Sequence, residues 1–166
     1  MELPQHIKNL GFVLADTNPD DVNDYARVNK LCYKRYVDEY IDFFGSWNDE
    51  VVVDIFNNKM KLTCFAKLIQ NAEIVGFLNY DIKEDRIDNI SIIITENAQN
   101  NGIGSSFLSF LIDKSTDLGK QVYLEVVKSN PAQNLYKRFG FEVYSEKDVF
   151  YQLKYTPHKN QCGSLG

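Results

Sequence analysis

A chain of 166 residues, 44 % hydrophobic and 25 % charged, is sized for one soluble domain that buries its core without disulfide or metal staples. The formal net charge of −5 and pI near 5.0 argue against the basic face of a nucleic-acid binder and suit cationic substrates. Cys32, Cys64 and Cys162 are odd in number, widely spaced and without a CxxC pair. His6 and His158 lie near opposite ends, so neither a disulfide framework nor a metal site is expected. This usage fits a reducing cytoplasm. The stretch MELPQHIKNL has no apolar signal core, and no apolar run of about 18 residues predicts a membrane span.

Residues 11–15 read as a first strand. Asn18-Pro19-Asp20-Asp21 is a helix start: a capping Asn, Pro at the first helical position, then acids at the positive helix end. Val22, Tyr25, Ala26, Tyr33 and Tyr36 follow at helical spacing, then an aromatic segment with Tyr40, Phe43, Phe44 and Trp47. Residues 49–58 predict another short helix. The period then changes: Leu62, Cys64, Ala66 and Leu68 alternate with their neighbours as in a strand. Asn71-Ala72 turns the chain into a strand over 74–80, and the β-branched residues of 87–94 predict a buried third. These three form an antiparallel meander.

A polar, glycine-containing loop spans 95–102. Ile103, Phe107, Phe110, Leu111 and Lys114 share one helical face, and Gly119 ends that helix. Residues 122–127 form the next strand, which makes a right-handed parallel crossover. Ser129-Asn130-Pro131 opens a short helix stopped by Gly140, and 141–144 with 149–155 close the sheet. The order β, αα, βββ, α, β, α, ββ is an α+β fold: a mixed, mostly antiparallel sheet with one parallel pair, flanked by about four helices. Residues 1–155 form the single domain and 156–166 a polar tail.

The sharpest local signal is Gln99-Asn100-Asn101-Gly102-Ile103-Gly104-Ser105. It follows a strand and opens a helix, whose first N–H groups are unpaired and carry partial positive charge. Glycines let a ligand approach the backbone, so the loop suits phosphate. Phe107 stands where a dinucleotide fingerprint needs its third glycine, and no Gly-Lys-Ser/Thr run marks an NTP loop. By themselves the glycines equally permit a tight turn and close packing.

Gln99-x-x-Gly102-x-Gly104 resembles the Arg/Gln-x-x-Gly-x-Gly/Ala motif of the GNAT superfamily of acyl-CoA N-acyltransferases. The segment 121–141 is similar to the family's later strand and helix, with Asn130-Pro131-Ala132, Leu135-Tyr136 and Gly140-Phe141 in family order. The resemblance covers roughly residues 62–155. It implies acetyl-coenzyme A as cofactor, with the backbone of 99–105 around its pyrophosphate. Ile92, Ile93 and Ile94 would pair with the pantetheine arm where the strand bulges and splays from its parallel neighbour. It further implies a cofactor contact at Asn130, a proton from Tyr136 to the leaving thiolate, an oxyanion donor at the Ile94 N–H, and a monomer or homodimer. Departures are Asn100 and Asn101 where basic residues are frequent, Thr95-Glu96 where proline is frequent, and six positions from Asn130 to Tyr136 where many members show seven. The last departure brings in Ser129 as a substitute contact.

Acyl transfer to an amine needs a neutral amine, an oxyanion donor and a proton for the thiolate. Tyr136 suits the last task, since a phenol is protonated at pH 7; equally, it sits on an apolar helix face like a core tyrosine. Glu125 is a candidate base or a solvent-facing strand carboxylate, with Asp88 behind it. Asn130 is also an ordinary helix cap. The aromatic residues from Tyr33 to Trp47 either wall an acceptor pocket or pack in the core. The expected function is acetyl transfer to a primary amine of a small molecule or peptide. Two alternatives are a non-catalytic acyl-CoA-binding module and a nucleotide-binding domain.

Overall fold

The computed structural model describes residues 1–158, so Cys162 and most of the expected polar tail lie outside the described residues. The first half comprises α1 (Gln5–Lys8), β1 (Phe12–Asp16), α2 (Val22–Glu39), α3 (Ile41–Phe44), α4 (Asp49–Leu62), β2 (Cys64–Gln70), β3 (Glu73–Ile82) and β4 (Arg86–Ile94). The second half comprises α5 (Ile103–Leu118), β5 (Gln121–Val127), α6 (Ala132–Arg138), β6 (Glu142–Lys147) and β7 (Phe150–Tyr155). The seven strands form one sheet in the order β1-β2-β3-β4-β5-β7-β6. Only β4 and β5 run parallel; every other neighbouring pair is antiparallel. The expected mixed sheet and its order of elements are what the chain adopts. The helix start expected at Asn18–Asp21 is a 3-10 turn, Pro19–Asp21, that leads into α2; the single-turn helices α1 and α3 and the 3-10 turn Glu96–Ala98 were not anticipated. Segments this short carry no readable period.

Local chemistry sets the boundaries. Asn18 accepts from the Asp20 N–H at 3.0 Å, while the Asp21 carboxylate accepts from the Asn18 N–H at 2.8 Å, a reciprocal cap. Lys67 on β2 also donates to both Asp21 oxygens at 2.8 Å, pinning this helix start to the sheet. Helix α4 runs past the expected residue 58 to Leu62. It stops where Thr63 turns extended and gives both its N–H (3.0 Å) and its hydroxyl (2.9 Å) to the Lys59 carbonyl.

The sheet has an apolar layer on each face. Ile87, Ile94, Val122, Leu124 and Leu153 pack with Phe107, Leu108 and Leu111 of α5. Phe65, Phe77 and Ile93 pack on the other side with Tyr25 and Val28 of α2 and Phe56 of α4. The Tyr25 ring stands 5.2 Å from Phe77 and 5.3 Å from Phe56, in the tilted and edge contacts that aromatic quadrupoles favour.

Strand β4 carries the feature that opens the site. Between the pairs Asn79↔Ser91 and Asp81↔Asp88, two β4 residues, Asn89 and Ile90, oppose the single residue Tyr80. Asn89 has φ +56°, the left-handed conformation that Asn tolerates better than most residues. This is a β-bulge, and it bends the strand. Parallel pairing with β5 is confined to Arg86↔Gln121 and Ile87↔Val122. Beyond them β4 pairs only with β3 and β5 only with β7, which it follows from Val122 to Val127. The sheet is therefore split along the β5-facing edge of residues 88–94.

Gly76 guards that strand from behind. It pairs with Ile94, and a Cβ on it would lie 2.7 Å from the Ile93 carbonyl oxygen. Gly76→Ala must push β3 and β4 apart, at about 1–3 kcal/mol, the usual range for overpacking. Chemical denaturation should show that loss; an unchanged midpoint would mean the strands yield freely.

Candidate active site

A cavity of about 490 Å³ lies at the open end of the split. Residues 92–94 and 99–105, Asn130 and Tyr136 all line it. The glycine-rich loop and the tyrosine, far apart in sequence, thus share one groove.

The loop is built to leave its amides open. Gly102, at φ +82°, precedes α5 and no side chain caps that helix. The first internal bond comes from the Ser106 N–H to the Gly102 carbonyl at 2.9 Å. The N–H groups of residues 103–105 therefore have no helical acceptor. A Cβ on Gly104 would sit 3.1 Å from Leu135, so the bare backbone lets α5 and α6 approach. Loop side chains brace the loop itself. Gln99 donates to the Ile94 carbonyl at 2.8 Å, and Asn101 to the Ala98 and Gln99 carbonyls at 3.1 Å.

Arg35 of α2 and Arg138 of α6 also line the groove. They supply cations that the loop, with Asn100 and Asn101, lacks. Neither was identified from sequence; the one local signal was Arg138 two places after Tyr136.

Tyr136 is 8 % exposed, with its ring 6.0 Å from Phe141. Burial pushes its phenol well above the usual tyrosine range, and the Tyr33 phenol adds to this. Tyr33 is itself pushed up to about 12, chiefly by burial and then by the neighbouring Cys32 thiol, against a hydrogen bond with Ser91. Burial also pushes the Cys32 thiol up to about 11, so it stays protonated and donates to the Ile94 carbonyl at 3.4 Å. Cys32, Tyr33 and Tyr136 thus give the groove wall three neutral proton donors at pH 7, beside the cations Arg35 and Arg138.

Asn130 uses its side-chain oxygen to accept from the Ala132 N–H at 2.9 Å, which starts α6. Capping and groove lining coexist in this residue. Ser129, the substitute contact, instead gives its hydroxyl to Glu39 at 2.7 Å and does not line the groove.

Glu125 lies elsewhere. It lines a second cavity, of about 410 Å³, with Lys83, Arg86, Asp88, Asn89, Tyr123 and Tyr144. Its Oε1 accepts from Gln152 at 2.7 Å across the β5–β7 pair. Asp88 Oδ2 takes Lys83 at 2.8 Å and Arg86 at 3.1 Å, while its Oδ1 is buried without a partner. Tyr123 and Tyr144 meet edge to face at 5.6 Å. The two alternatives left for the aromatics of residues 33–47, a pocket wall or the core, divide between them. Tyr33 and Tyr36 line the first groove, Phe43 and Phe44 pack on Phe150, and Trp47 joins the α2–α4 core. The aromatics of the second cavity are Tyr123 and Tyr144, on strands that show only alternation in sequence.

Residues 32–141 match the model of the Acetyltransferase (GNAT) family. The chain belongs to this family. A curated relative, the [ribosomal protein bS18]-alanine N-acetyltransferase of Haemophilus influenzae, is 32 % identical over 96 residues, 57 % of this chain and 66 % of that protein. The chain thus spans just under two thirds of that relative's length. Among solved structures, the PaiA N-acetyltransferase of Thermoplasma acidophilum in complex with coenzyme A superposes with TM-score 0.65 at 12 % identity, covering 87 % of this chain and 98 % of that one. The ribosomal-protein-S18-alanine N-acetyltransferase of Escherichia coli gives TM-score 0.62 at 18 % identity, covering 93 % and 97 %. These likenesses concern the GNAT fold. Among the described residues no helix is long and apolar enough to cross a membrane, and no group of three or more His, Cys, Asp or Glu is placed to hold a metal.

Proposed function

We propose that this GNAT chain, with residues 1–155 as one domain, transfers an acetyl group from acetyl-CoA to a primary amine of a small molecule or peptide. Attack is direct, in a ternary complex. The carrying observation is that one groove joins the open amides of residues 103–105, the unpaired edge of β4 and Tyr136.

The residues present fit the carrier. Gly102 adopts the positive φ of the turn and Gly104 lets α5 come close to α6; the open amides of residues 103–105 favour a diphosphate, and Arg35 and Arg138 add charge. The edge of residues 92–94 that β5 leaves uncovered suits an extended amide-bearing arm, held as an added strand by groups other than the Ile94 carbonyl, which Gln99 and Cys32 already engage. Bound there, acetyl-CoA supplies the activated thioester. Tyr136 holds a proton for the departing sulfur. Glu125, from the second cavity, takes the proton of the amine, so that cavity is the acceptor side. Of primary amines, the α-amine of a peptide beginning with alanine is the first to test, because the Haemophilus relative is named for such a substrate.

Free thiol release should be measured with acetyl-CoA and a panel of peptides, polyamines and other amines. Acetyl-CoA at a hundred times its Kd should stabilise the fold by about 2.7 kcal/mol. Stabilisation without release by any amine would favour a binding module over an enzyme. Absence of both would overturn the reading, and stronger protection by ATP or NAD would point to a nucleotide site.

A further inference from the structure

The bulge in β4 is held from outside the groove. Asn79 of β3 is 1 % exposed, on the sheet face that carries Phe77. A buried amide must satisfy both its ends. Lys59, in the last turn of α4, donates to Asn79 Oδ1 at 2.7 Å. An ammonium can only donate, which fixes the amide's orientation. Asn79 Nδ2 is thereby aimed at the carbonyl of Asn89, to which it donates. Asn89 is the positive-φ residue of the bulge, and a bulge interrupts the ladder that would otherwise engage its backbone. The three groups form one chain, from helix through β3 to the point where β4 leaves β5. Among the described residues no carboxylate pairs with Lys59, so its charge rests on this single acceptor.

We propose that Asn79, oriented by Lys59, is a positioning residue that fixes the Asn89 bulge and so sets the opening between β4 and β5. Asn79 and Lys59 line neither cavity and act through the strand. The proposal rests on the acyl-transfer reading only for its catalytic consequence; the structural part stands apart from it.

Asn79→Asp separates the two bonds of the relay. A carboxylate still accepts from Lys59, so the variant retains its buried partner, but it cannot donate to the Asn89 carbonyl. Its melting temperature should fall, because the Asn89 carbonyl is left facing a carboxylate oxygen at a buried position, so turnover is compared per folded molecule well below the transition, where at saturating acetyl-CoA it falls by about 10-fold, the scale of a small misplacement of reacting groups. Amide hydrogen exchange should quicken at residues 89–92 and stay unchanged in β2 and β7. Lys59→Arg should retain parental turnover and exchange, because it still orients Asn79, whereas Lys59→Met should reproduce the Asn79→Asp phenotype. Parental turnover and exchange in folded Asn79→Asp would overturn the proposal. So would a loss of activity that merely tracks the folded fraction. Exchange needs no turnover, so if the parent protein fails to acetylate any amine, the acyl-transfer reading falls while exchange still judges the bulge.

Discussion

Tyr136→Phe is expected to lower kcat by about 10²-fold, the lower end of general-acid contributions, with acetyl-CoA affinity little changed. The substitution removes one oxygen and keeps the ring against Phe141. Because burial raises the phenol's pKa, the acid form persists across the working range. The parent rate should therefore show no alkaline fall below the ordinary tyrosine pKa of about 10. An acyl donor with a more acidic thiol needs less help in leaving, so the variant's deficit should shrink with such a donor. Steady-state thiol release with both donors, beside calorimetric binding of acetyl-CoA, tests this. An unaltered kcat removes Tyr136 from the chemistry and leaves it as packing.

Glu125→Gln should cost about 10²-fold in kcat/KM for the amine at pH 7. At that pH about one in a thousand of an ordinary alkylamine is neutral, so a base has most to contribute there. The sign with pH follows: as pH rises toward the amine's own pKa, solvent does the deprotonation and the gap between variant and parent closes. Glutamine is nearly isosteric and can still accept from Gln152, so folding should be preserved. Asp88→Asn is the comparison, because Asp88 shares the cavity but is held by Lys83 and Arg86. If Asp88→Asn shows the pH-dependent loss and Glu125→Gln does not, the base has been misassigned.

Much of this architecture was legible in the residues. Alternation from Leu62 to Leu68 and the β-branched run ending at Ile94 marked the meander, and Gly119 and Gly140 marked helix ends. The glycine loop of residues 99–105 was visible because glycine spacing reflects backbone geometry directly. The second cavity was visible only as the separate candidates Glu125 and Asp88; that Tyr123 and Tyr144 join them was not, because these residues come from different strands and meet only through register and twist. Arg35 and Arg138 were hidden for the same reason: charges on helices look like solvated faces until the helices dock. The Lys59–Asn79–Asn89 chain was invisible too. Each of its members is ordinary in its own segment, and a positive φ at Asn has no unambiguous spelling.

The split beside β4 also bears on how this protein can vary. What lies open along residues 88–94 is main chain, and main chain is the part of a polypeptide that replacement of one amino acid by another leaves in place. Ile92 and Ile94 could drift to valine or leucine, and the backbone that β5 leaves without a partner would still face the gap. Selection on that grip must therefore act at a distance, through whatever keeps the two strands apart. Residues such as Gly76 and Asn79, which line neither cavity, are then positions where replacement disturbs that edge although no side chain on it has changed.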